Sequence, residues 1–137
     1  MLRSRCHFSR AFGGLALAVL VLVVSQRATV SAHAYFLNGT PNDGDVLSAA
    51  PAQIDAFFAE DIVKQAGTYG LAVSDPNGNQ VDNQDTVLDD SNRRHLTVTL
   101  QSGLSDGTYD VHWWTVSDED GDAASGDYHF TINSAGS

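Results

Sequence analysis

Residues 107–116, GTYDVHWWTV, decide the fold of this chain. Tyr109, Val111 and Trp113 alternate with Asp110 and His112, a period of two that sets one apolar face on a core and one polar face toward water. The same alternation recurs on both sides. HLTVTL (95–100) turns Leu96, Val98 and Leu100 inward and Thr97 and Thr99 outward, and GDYHFTI (126–132) turns Tyr128, Phe130 and Ile132 inward. Further out, residues 34–37 read as a first strand stopped by the turn-rich NGTPNDGD, and IDAFFA (54–59) reads as a second. Pro76-Asn77-Gly78 supplies turn chemistry inside 68–82, which reads as a β-hairpin. No helical pattern of useful length follows residue 33, and the terminal NSAGS reads as a frayed end. Seven or so short strands in about 105 residues predict an all-β, two-layer sandwich of immunoglobulin-like size.

Residues 1–32 read as an export signal rather than as part of that domain. Arg3, Arg5 and Arg10 form a basic start, Leu15–Val24 is an unbroken apolar run, and small residues follow. Such a run is too short to span a bilayer, which takes about 20 residues; an uncleaved anchor is the competing reading. The single cysteine, Cys6, lies in the basic start, so the domain 33–137 has no disulfide to form. Of the seven basic residues only Lys64, Arg93 and Arg94 lie beyond position 32, against all 17 acidic ones. A net charge of −14 for that domain, 3 basic less 17 acidic, repels nucleic acid and anionic membranes and favours cations. Solubility alone accounts for many of these carboxylates.

The chain holds no Gly-x-Ser-x-Gly elbow, phosphate cradle, or zinc pair of the Cys-x-x-Cys or His-x-x-x-His type. His95, His112 and His129 fall at outward positions of expected strands. If the strands bearing His112 and His129 pair, both imidazoles share a face near Trp114. A surface transition-metal pair and plain solvated histidines both remain open there. The segment 117–126, SDEDGDAASG, reads as an acidic loop. Asp118, Asp120 and Asp122 imitate the start of an EF-hand, but Ala123 stands where that loop needs Gly and His129 where it needs Glu.

In ATVSAHAYF (28–36), two overlapping small-x-small triplets allow cleavage after Ala32 or after Ala34. Only the first cut makes His33 the mature N-terminus. Such a residue offers its α-amine and ring Nδ1 to one ion, a donor pair that suits Cu(II). The amine titrates near ~7.7–8 and binds metal only once deprotonated.

Taken in order, the signal ending in Ala-His-Ala, the Thr40-Pro41 turn, APAQIDAFFAEDI, GLSDGTYDVHWWTVS and SGDYHFTI resemble the CopC family of bacterial periplasmic copper-binding proteins. The resemblance covers 33–133. It implies a seven-stranded Greek-key β-sandwich or barrel and a Cu(II) site built on the N-terminal histidine, which falls on His33 and favours the cut after Ala32. It also implies frequent partnership with a CopD-type membrane protein. The family's strand-end carboxylate falls on Glu60, with Asp61 beside it. Where the family has Asp-x-His, this chain has Asp120-Gly121-Asp122, so Asp122 replaces an imidazole and should bind Cu(II) more weakly. The sole methionine is Met1, which leaves no thioether set for Cu(I).

The reading that follows is a periplasmic, monomeric, non-enzymatic protein binding Cu(II) through His33, Asp120, Asp122 and Glu60, for storage, resistance or delivery. Two rivals stand beside it. One is a sandwich module with weakened copper binding, whose acidic loop faces a partner or calcium. The other is a copper oxygenase with an N-terminal histidine brace, which would need a second histidine where Asp122 stands.

Overall fold

The computed structural model describes residues 33–136; the expected signal segment 1–32 lies outside them, as does Ser137. Eight segments pair: β1 (Phe36–Thr40), β2 (Val46–Leu47), β3 (Gln53–Phe58), β4 (Gly70–Ser74), β5 (Val87–Leu88), β6 (His95–Thr99), β7 (Gly107–Val116) and β8 (Ala123–Ile132). They form two four-stranded sheets, β1-β3-β6-β5 and β2-β8-β7-β4, so every connection except β5–β6 and β7–β8 passes from one sheet to the other. The all-β sandwich expected from the alternation is present, and among the described residues there is no helix.

The segments differ from the expected seven for identifiable reasons. The second arm of the 68–82 hairpin makes only isolated bridges, Ser74 to Gln80 and Asp82 to Leu100. There the buried Asp82 carboxylate accepts the Val73 and Gln84 amides at 2.7 and 2.9 Å, so a side chain takes part of the ladder's role. The two-residue β2 and β5 are too short to show a period. β2 lies parallel to β8, bridging Val46 to Thr131 and Leu47 to Ile132. The terminal tail is also tied down, since Asn133 donates to the Leu47 carbonyl and Ser134 Oγ to Asp106 at 2.9 Å.

Alternation fills the space between the sheets. Ile54, Ala56 and Phe58 of β3 and Leu96 and Val98 of β6 face Leu71, Val73, Tyr109, Val111, Tyr128 and Phe130, all buried. Phe58 meets Trp113 edge-on at 5.5 Å and Tyr109 stacks on Phe130 at 5.4 Å. Burying one such side chain stabilises by about 1.5–3 kcal/mol. For function, two pairings matter most. β7 and β8 pair along all ten residues, from Gly107–Ile132 to Val116–Ala123. β1 pairs with β3 through Phe36 and Phe58, which sets residues 33–35 beside 59–61.

Candidate metal centre

The segment before β1 is built into the core. Ala34 is fully buried, and its carbonyl accepts the Thr115 hydroxyl at 2.6 Å. The Tyr35 carbonyl takes the Ala59 amide at 2.9 Å, and the Tyr35 amide turns back to the His33 carbonyl at 2.7 Å. His33 is thereby held at the end of the sandwich where the β7–β8 loop closes. Its Nε2 lies 3.9 Å from Asp122 Oδ2.

That loop is shorter than the ten residues read from sequence, because β8 begins at Ala123 and leaves only 117–122. The Ser117 amide donates to the Asp122 carbonyl, Gly121 takes a left-handed φ of 76°, and the Asp122 amide donates to Asp120 Oδ1 at 3.0 Å. Only a residue without Cβ adopts that φ at little cost, so the glycine shapes the turn between the two aspartates. The loop docks on the segment after β3, through the Ile62–Ser117 bridge and the Asp118 amide on the Asp61 carbonyl. Two arginines brace the junction. Arg93 reaches Asp118 at 3.2 Å and the Ile62 carbonyl, while Arg94 holds Asp61 at 2.8 Å.

Glu60 lies at the centre of this junction. Its Oε2 is buried and receives no hydrogen bond. Burial first, then the Glu119 carboxyl and the Asp120 charge, push its pKa above the ordinary value, against an opposing pull from Arg94. A carboxylate oxygen sealed among other acids is relieved by a proton or by a cation. The surrounding donors, an imidazole and carboxylates, suit a divalent transition metal. As they stand, no three His, Cys, Asp or Glu side chains among the described residues are grouped closely enough to hold a metal ion.

The fold thus brings His33 to Asp122, sets Asp120 in the same tight turn, and puts Glu60 within the electrostatic reach of Asp120. Asp61 is engaged by Arg94 instead. Glu119, Arg94 and Thr115 also take part here without any local signal of it: Glu119 lies inside the acidic run, but nothing in its sequence neighbourhood sets it against Glu60. The EF-hand imitation ends where Asp118 turns to Arg93 and the chain runs straight into a strand. His95 is not a solvated surface histidine. It stacks on Phe57 at 4.4 Å, with Nε2 2.8 Å from Asp55 and Nδ1 3.5 Å from Asp89.

Comparison with known proteins adds the following. A family model described as the CopC domain matches residues 36–133. The copper transport protein CutJ of Bacillus subtilis (strain 168) is 32% identical over 117 residues, which are 85% of this chain and 21% of that protein. The chain therefore spans about a fifth of the length of this curated relative. Among solved structures, CopC from Methylosinus trichosporium OB3b superposes with a TM-score of 0.65 at 23% identity, covering 74% of this chain and 94% of that one. PcoC, a methionine-rich copper resistance protein from Escherichia coli, gives 0.62 at 22%, covering 74% of this chain and all of that one. At these identities the structural likeness is one of fold.

Proposed function

This chain belongs to the CopC family, and on that premise we propose that it carries Cu(II) outside the cytoplasmic membrane, without catalysing a reaction. The observation that carries the reading is the 3.9 Å approach of His33 Nε2 to Asp122, on a segment pinned by the buried Ala34 and beside the crowded Glu60 carboxyl. His33 supplies the α-amine and Nδ1, which close one chelate ring on the ion. Asp122 and Asp120 supply oxygen, and Glu60 completes or supports the set. With Met1 the sole methionine, the donors favour Cu(II) over Cu(I).

The docking of Ala34 supports cleavage after Ala32. A cut after Ala34 would remove a core residue and strand the Thr115 hydroxyl, which is itself buried. The processed protein is a periplasmic monomer in this reading, handing its ion to a CopD-type membrane protein. The relative CutJ, about five times the span matched here, is itself named a copper transport protein.

The test is an EPR titration of the processed protein with Cu(II), its N-terminus confirmed by intact mass. Nitrogen hyperfine coupling is expected, and it should be lost when one residue is added ahead of His33. A spectrum without nitrogen donors, or one indifferent to the added residue, overturns the reading. Those results would favour a sandwich module with weakened copper binding, a reading supported by the lack of any metal-sized group of three such side chains among the described residues and by the Asp at position 122.

A further inference from the structure

A second group of metal-ligating side chains lies on the outer face of the β7–β8 ladder. The register sets His112 opposite Asp127 and Asp110 opposite His129, so the four occupy the corners of one square, histidines on one diagonal and aspartates on the other. Their strand neighbours Tyr109, Val111, Tyr128 and Phe130 are buried, which turns all four toward solvent. Each imidazole is held by the carboxylate across from it, His112 Nδ1 to Asp127 at 2.7 Å and His129 Nδ1 to Asp110 at 2.9 Å. A carboxylate on Nδ1 places the proton there and leaves the Nε2 lone pair facing outward, the second-layer arrangement that orients histidine ligands in metal sites. Trp114, next on the same face, stacks on His112 at 5.9 Å.

Exposed His–Asp pairs contribute only about 0–1 kcal/mol to folding, so stability gives little reason for two of them in one square. Diagonal residues on paired strands lie about 7–8 Å apart at the backbone, and their side chains are in mutual reach. Two imidazoles at that spacing can share one ion at metal–nitrogen distances of about 2.0–2.1 Å. The square is also separate from His33: His112 lies four residues from the loop end of β7, about 14 Å along the strand.

We propose that His112 and His129 form a second, shallow site for a divalent transition-metal ion. The two Nε2 atoms are its ligands, Asp127 and Asp110 orient the rings, and water fills the remaining positions. The site stands independently of the copper-carrier reading, and its failure would leave the His33 centre untouched.

The test uses the His33→Ala protein and Zn(II), followed by calorimetry and by imidazole NMR. One equivalent of Zn(II) is expected to bind, moving the His112 and His129 ring signals at the same ratio while the clamped His95 stays still. His112→Ala and His129→Ala should each abolish that binding, and Asp127→Asn should weaken it by ~10–100-fold. Absence of saturable binding, movement of only one of the two rings, or equal uptake of Mg(II) overturns the proposal. Should a substituted protein fail to fold, the ring signals in the chain altered only at His33 decide the matter.

Discussion

The hydroxyl of Thr115 in β7 donates a 2.6 Å hydrogen bond to the carbonyl of Ala34, across 81 positions of sequence, and both residues are sealed from solvent. The bond makes the start of the domain part of its core, and so fixes where His33 stands. Thr115→Val keeps the shape but leaves the Ala34 carbonyl buried without that donor, which costs about 1–3 kcal/mol. Chemical denaturation should register that loss. Cu(II) affinity should fall as well, because His33 is then less well held; an unchanged affinity would separate the clip from the site.

Asp122 stands 3.9 Å from His33 Nε2, in a turn closed by the Ser117 amide on the Asp122 carbonyl and the Asp122 amide on Asp120 Oδ1. Asp122→His exchanges a hard oxygen for an imidazole nitrogen beside His33. Cu(II) affinity is expected to rise by ~10–100-fold, the scale on which changes around a metal ligand act. Competition titration against a chelator of known strength measures it, and extra nitrogen coupling should appear by EPR.

Glu60 makes the metal-free protein sensitive to pH. Its folded pKa is raised, so the fold favours the protonated form, and the stability this contributes is present below the ordinary value of 4.5 and lost as pH rises through the folded value. Glu60→Gln should flatten that part of the profile in chelator-treated protein. Asp75, Asp85 and Asp89 act in the opposite sense. Hydrogen bonds from Asn79, Thr99 and Ser91 respectively lower their pKa values, so the stability they contribute is present above 3.8 and lost as pH falls through the lowered values. Denaturation midpoints across the acid range, for the native protein and for Glu60→Gln, distinguish the two.

Gly70 on β4 pairs with Trp114 on β7, and the indole lies over the glycine so closely that a Cβ there would come 2.0 Å from its Cζ2. Gly70→Ala must push the ring off the sheet, an overpacking that costs about 1–3 kcal/mol. Tryptophan emission should shift to longer wavelength as Trp114 enters water, and the His112 ring signal should move with it. The buried Trp113 provides the unchanged component.

How much of the fold the sequence displays depends on length and period. β7 and the end of β8 are long enough for alternation to be unmistakable, and their inward residues are those the pattern names. β2 and β5 have two residues each and no period to read. The arm at Gln80–Asp82 has strand-like composition, yet the Asp82 carboxylate takes over part of the ladder, an exchange that only the buried surroundings of Val73 make favourable. At the candidate centre, the family resemblance points to His33, Glu60 and Asp120 by their places in a known order, and to Asp122 as the residue standing where the family has a histidine. Glu119 and Arg94 were not, since their significance lies in facing Glu60 across a gap that local sequence does not describe.

Composition and alternation alone determined an acidic all-β sandwich with a histidine near its start and carboxylates in a late loop. The tertiary structure decided which of those groups meet. Pairing of β1 with β3 and of β7 with β8 brings residue 33 to residue 122, while Arg93 and Arg94 draw Asp118 and Asp61 into ion pairs of their own. The reason is one of range. Side-chain period and turn chemistry act over a few neighbouring residues, whereas ligand geometry and pKa depend on distances between segments that only the packed core sets.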